Sequence, residues 1–127
     1  MRNIIVGGQR VLSTALLAAA LLMGGGCEES DDFDHDIPAG QGTLIVDNNG
    51  SRDIDIYIDG ARVEDVSDGN WQPIDLFPGV YRVVLVEENT ERAFGGDVDV
   101  LAGRRTIMEV SSDGFDPDDL LVNIYID

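Results

Sequence analysis

The chain has 127 residues and a formal net charge of −17, with 25 acidic side chains against eight arginines, no lysine, one histidine and one cysteine. A surface this negative lacks the clustered Lys and Arg that hold phosphate backbones or anionic membrane faces, which argues against any nucleic-acid partner. One cysteine forbids an internal disulfide, and with lysine missing and the single histidine, His35, in the acidic run ahead of the strands, a Ser-His or Cys-His enzyme is not expected, nor any catalytic residue or cofactor.

The N-terminus carries Arg2 and Arg10 and no acid before Glu28, then an apolar core from Ala15 to Met23, then Gly24, Gly25, Gly26 and Cys27. Positive start, short apolar stretch and small residues form the order of a secretory signal, predicted over 1–26. The core of nine residues is short beside the about 20 that a spanning helix needs. With Cys27 directly after Gly25 and Gly26, the segment resembles the lipobox of bacterial lipoprotein signal peptides. That resemblance implies a diacylglycerol on the Cys27 thiol, cleavage before it, further acylation of the palmitate kind, and a domain held at the cell envelope outside the cytoplasm. One acyl chain anchors only marginally, at about 0.8 kcal/mol per buried methylene, whereas the two or three chains of that family anchor firmly.

All 25 acids follow position 26 and two of the eight basic residues precede it, so the chain beyond the signal carries −19, six minus 25. Residues 27–41 hold Glu28, Glu29, Asp31, Asp32, Asp34 and Asp36 and little to bury. They are expected to form a flexible acidic tether, extended by self-repulsion. His35 lies among those aspartates, where a weak divalent-cation site is conceivable; the spacing fits no structural zinc pattern, and charge runs are usually solvated.

From Gly42 the hydrophobic period becomes two. Thr43 to Asn48 reads as an apolar strand and Asn49-Gly50 as a turn. Ile54, Ile56 and Ile58 alternate with Asp53, Asp55, Tyr57 and Asp59, the pattern of a strand with one buried and one wet face. Asp59-Gly60 is the next turn, followed by Arg62 to Val66, a turn at Ser67 to Asn70, and Trp71 to Leu76. Val80 to Glu87 is apolar on both faces apart from Arg82, which places it centrally in a sheet. Gly95-Gly96 is expected to break or bulge the strand that follows. Arg104 to Ser111 and Leu120 to Ile126 complete the chain, with Leu120, Val122, Ile124 and Ile126 on one face. Short strands at near-regular spacing and no capped helical stripe predict an all-β fold, a small antiparallel β-sandwich of about seven strands over 42–127.

Two stretches within it, Ile56-Tyr57-Ile58-Asp59-Gly60 and Leu76-Phe77-Pro78-Gly79-Val80-Tyr81-Arg82-Val83 with Pro73 before it, resemble the "V-x-V-D-G" and "L-x-P-G-x-Y-x-V" patterns of PEGA domains. Asn49 to Asp53 occupies the place of the name-giving tetrapeptide, so the domain is PEGA-like. The resemblance implies a small extracytoplasmic β-module of an accessory kind, with an envelope protein or a cell-wall polymer as its partner and the membrane reached through the lipid anchor. Its residues are turn formers and carry no chemistry of their own.

An alternative is a calcium- or small-ligand-binding module. Asp113, Asp116, Asp118 and Asp119 could offer oxygens to a hard cation, although the EF-hand order of ligands is absent and Asp-Gly and Asp-Pro are ordinary turn material. Trp71 and Tyr81 could form a sugar platform, but a lone Trp in a small sandwich is more often core. Paired carboxylates for glycoside hydrolysis need a cleft, for which so small a sandwich has little room.

Overall fold

The computed structural model describes residues 33–111 and 119–127. The chain divides into two units, Met1–Asp34 and His35–Asp127. The signal segment, Cys27, Asp113, Asp116 and Asp118 lie outside the described residues.

The second unit is all-β, with eight strands: β1 (Gly42–Asn48), β2 (Ile54–Ile58), β3 (Ala61–Val66), β4 (Trp71–Leu76), β5 (Gly79–Glu87), β6 (Ala93–Val100), β7 (Arg105–Ser111) and β8 (Leu121–Ile126). They form two four-stranded sheets, ordered β8-β7-β1-β4 and β3-β2-β5-β6. All neighbours are antiparallel except β1 and β7, which run parallel. That pair sits mid-sheet with Leu44, Ile45, Val46, Ile107 and Met108 all buried, the two-faced burial that parallel pairing favours.

The inner faces meet in one core. Leu44, Val46 and Met108 from the first sheet pack with Ile54, Ile56 and Leu85 from the second. The Ile54, Ile56, Ile58 alternation points inward as its period of two requires, and β5 is flanked by β2 and β6 in the centre of its sheet. Fully burying one such aliphatic side chain is worth about 1.5–3 kcal/mol, so a dozen of them can fold a domain without a disulfide.

The turns follow local chemistry. Asp59 and Gly60 both have positive φ, 51° and 89°, the mirror-image turn whose twist suits a two-residue hairpin between β2 and β3. Asn49-Gly50 is no hairpin: it carries the chain from one sheet to the other. Asn48, fully buried, holds that crossing by donating from Nδ2 to the carbonyls of Arg52 (2.8 Å) and Val66 (3.2 Å) and accepting Gly50 N–H on Oδ1 (3.0 Å). At the β4–β5 crossing, Tyr81 donates its hydroxyl to the Phe77 carbonyl at 2.6 Å. A tyrosine bonded a few residues upstream is a recurrent lock at sandwich corners.

Two expectations are corrected. Gly95-Gly96 neither breaks nor bulges β6, which runs from Ala93 to Val100 with Gly95 opposite Val84 and Gly96 opposite Val83 in unbroken register. The ring of Phe94 lies over Gly96, where an added Cβ would stand 2.9 Å from it, so the aromatic fills the space a side chain would occupy. Residues 35–41, read as the end of a flexible tether, are instead fixed to the first sheet. Arg105 donates to the His35 carbonyl at 3.1 Å, Gln41 N–H to Pro38 O at 3.1 Å, and Gly103 N–H to Gln41 O at 2.9 Å. Charge density suggested solvation, but the carbonyls of His35 and Gln41 and the His35 imidazole find partners beyond the segment, and the Pro38–Gln41 bond closes a turn within it.

Candidate functional site

Strand register defines three rows across the outward face of the first sheet. Asp75, Thr43 and Arg105 form the first; Pro73, Ile45, Ile107 and Tyr125 the second; Trp71, Asp47, Glu109 and Asn123 the third. The first row is polar and lies under the His35–Gln41 segment. His35 spans it, with Nε2 2.9 Å from Asp75 Oδ1 on β4 and its carbonyl bonded to Arg105 on β7. Thr43 on β1, between them, donates its hydroxyl to the same Asp75 oxygen at 2.6 Å. Burial pushes the Asp75 carboxyl up, but the hydrogen bonds from Thr43 and His35, with the nearby imidazole charge, outweigh it and hold Asp75 below the ordinary carboxylate value.

Arg105 also faces the end of the chain, 3.8 Å from Asp127 Oδ2, and the two residues exchange backbone hydrogen bonds. One guanidinium thus ties His35 and Asp127 to the same strand.

This constellation holds a hydroxyl, a carboxylate and an imidazole, but in an order unlike that of an acyl-transfer triad. There the imidazole stands between the other two and takes the hydroxyl proton. Here the carboxylate is central, His35 has no bond to Thr43, and Thr43 is 0% exposed, closed to any substrate. The arrangement is a clasp for the polypeptide.

The second row is apolar. Ile45 and Ile107 face away from the inter-sheet core yet are 0% and 1% exposed. Trp71 belongs to this outward face, opposite Asp47, and not to the core between the sheets. Tyr81 is on the inward face of the other sheet, packed against the core. The structure does not bring the two together, which removes the paired sugar platform.

Of the calcium candidates only Asp119 is described: it is exposed and pairs with Ala93 beside β6. Among the described residues no group of three His, Cys, Asp or Glu is arranged to hold a metal ion. His35 is turned to Asp75 and away from a chelating role with its sequence neighbours Asp34 and Asp36. Carboxylates do crowd the edge of the second sheet, where Arg62 bonds Asp55 at 2.8 Å and stands 3.8 Å from Asp65. Desolvation, then Asp55, Asp53 and Asp65, push the nearby Glu88 carboxyl upward.

No protein-family model and no curated protein matches the chain. Among solved structures, the N-terminal domain of AlgF from P. aeruginosa is similar, at 14% identity and a TM-score of 0.49, over 71% of this chain and 96% of that one. A likeness of that size bears on no residue of the site.

Reasoning from sequence missed Thr43, Asp75, Arg105 and Asn48. Nothing in the local pattern marks them: each is a polar position in a strand, and its partner lies on another strand or across a turn. His35 was visible as the only histidine, though its neighbours in sequence suggested a different use.

Proposed function

We propose that this is an envelope lipoprotein, anchored through acyl chains on Cys27, whose PEGA-like β-sandwich is a non-catalytic interaction or structural module. The observation that carries the reading is the layout of the N-terminus, where the sole cysteine directly follows an apolar core of signal length and three glycines. The polar cluster of the first sheet is consistent with it, since its hydroxyl, carboxylate and imidazole are spent on holding the chain. The two PEGA-like stretches fall at the β2–β3 turn and the β4–β5 crossing, positions that shape a sandwich and leave its surfaces free to vary.

Fixing His35 to the sheet shortens the leash. Residues 27–34, eight in number, remain between the acylated cysteine and the domain. At most about 3.5 Å per residue gives a reach of about 28 Å. The module therefore works close to the membrane, where an envelope protein or the nearest layer of cell-wall polymer is its partner.

The test is the intact mass of protein taken from the membrane fraction, beside a Cys27→Ala variant. A mass of residues 27–127 plus acyl chains, absent from the variant, is expected. An unmodified chain in the soluble fraction, or one retaining 1–26, overturns the anchor.

A further inference from the structure

The two ends of the strands expose different chemistry. Where β4 passes to β5 and β6 to β7, two connections lie side by side. Gly79, the first residue of β5, is opposite Val100, the last of β6, so Phe77-Pro78 and Leu101-Ala102-Gly103-Arg104 both extend past the paired strands. Phe77, Val80 and Leu101 are 68%, 65% and 42% exposed. Neither connection carries a carboxylate, and the one charge they hold is that of the exposed Arg104. The backbone at Phe77 is held by the Tyr81 hydroxyl, 2.6 Å from its carbonyl, so the ring is kept outside the core by a fixed corner. Apolar groups exposed together in this way mark a surface that another phase covers. We infer that these two tips are a membrane-contact surface, with Phe77, Val80 and Leu101 entering the boundary between headgroups and acyl chains.

The inference rests on the Cys27 anchor proposed above, and the point where the leash begins selects the bilayer as occupant. His35 sits in the row of Thr43 and Arg105, at the starts of β1 and β7. That is the end of the tips, since Gly42 is opposite Leu76 and Gly103 N–H bonds Gln41 O at 2.9 Å. The nine residues of β5, at about 3.4 Å each, set the opposite end about 30 Å away. The whole leash of eight residues reaches only about 28 Å. An anchored domain therefore meets the bilayer with the tips and not with the far connections.

Charge points the same way. The connections 49–53, 67–70 and 88–92 at the far end carry Asp53, Asp68, Glu88 and Glu91 against Arg52 and Arg92, and an ionised carboxylate is costly to take out of water. At the near end Asp59 is set back from the tips, its Oδ1 accepting the Arg82 N–H at 2.9 Å, and Asp127 faces Arg105 at 3.8 Å. Asp99, opposite Val80, limits the depth: the apolar tips enter while Asp99 and Arg104 stay among the headgroups. The contact is apolar and needs no basic patch. Three side chains are too few to bind a bilayer unaided, but on a domain already held there by acyl chains they set its orientation.

The test places the full chain on phosphatidylcholine vesicles through Cys27, the only thiol. Its own acyl chains hold it where the intact mass shows them; otherwise the thiol is coupled to a maleimide phospholipid, so that loss of the anchor reading leaves this measurement intact. Trp71 is the only tryptophan, and a Trp71→Phe background lets the probe be moved. Phe77→Trp is expected to shift its emission to the blue on the vesicles and to be quenched by brominated acyl chains, whereas Glu91→Trp at the opposite end shows neither. Leu101→Asp added to the Phe77→Trp chain should remove most of that quenching at an unchanged unfolding temperature, because Leu101 is exposed and its loss leaves the core intact. An unquenched probe at 77 gives the tips to solvent or to a protein partner and overturns the inference. Equal quenching at 77 and 91, quenching indifferent to Leu101→Asp, or stronger quenching of Trp71 in the native chain, with the outer face of the first sheet on the bilayer, overturns it as well.

Discussion

His35 reaches across forty residues of sequence to place Nε2 2.9 Å from Oδ1 of Asp75, and this contact decides where the domain begins. The imidazole shares its partner with the Thr43 hydroxyl, while the His35 carbonyl accepts a hydrogen bond from the Arg105 guanidinium. One residue ahead of the sheet thus clasps β4 and β7, while Thr43 of β1 bonds the same Asp75 oxygen between them.

Replacing Asp75 by Asn tests the clasp. The variant is expected to lose about 1–2 kcal/mol, in the range for a hydrogen bond to a charged group in a half-buried setting, and to expose residues 35–41 to faster amide exchange. The sign of the pH dependence follows from the direction of the shift. The Asp75 carboxyl titrates below its ordinary value of 3.8, so its stabilisation is fully present above that value and fades as pH falls through the lower, folded one. The difference in unfolding temperature between native chain and variant should therefore shrink as pH falls below the ordinary carboxylate range. A difference that grows on acidification contradicts the geometry.

Asn48→Ala should cost more than any other single polar change in the domain. It removes the two bonds that the amide donates to the carbonyls of Val66 and Arg52 and the one it accepts from Gly50 N–H at the crossing between sheets. At about 1 kcal/mol for each bond lost, about 3 kcal/mol is expected from urea unfolding.

Tyr81→Phe separates the ring from the hydroxyl. The ring stays packed against the core, and only the 2.6 Å bond to the Phe77 carbonyl is lost. Water can replace the donor at this exposed corner, so the loss is expected at about 1 kcal/mol, clearly smaller than for Asn48→Ala. Equal losses at both positions would show that burial is not what separates them.

Glu88 lies where carboxylates repel. Desolvation and its neighbours Asp55, Asp53 and Asp65 raise its carboxyl, so its charged form opposes folding above the folded value, and the opposition is relieved as pH falls through it. Glu88→Gln is expected to raise the unfolding temperature at neutral pH and low salt, with the gain disappearing as salt screens the edge. A gain that persists at high salt points to packing instead.

Calcium separates the two readings of the acidic stretch 113–119. For a structural or interaction module, millimolar calcium leaves the unfolding temperature unchanged beyond its ionic-strength effect, matched by a magnesium control. A calcium-specific rise that Asp116→Asn and Asp118→Asn abolish would reinstate the cation-binding alternative.

The sequence by itself determined the all-β class, the inward isoleucines of β2, the central place of β5 and the Asp59-Gly60 hairpin, because period-two burial and turn dihedrals are local properties of a few adjacent residues. It also carries the whole case for Cys27, which lies outside the described residues. Tertiary structure alone decided that β1 and β7 run parallel, that Phe94 makes Gly96 a regular strand position, that Trp71 faces outward, and that His35 leaves the acidic run to bind Asp75. Those outcomes depend on which strands become neighbours. A polar side chain in a strand does not record its partner, since the energy of the pair exists only once chain segments tens of residues apart have been brought together.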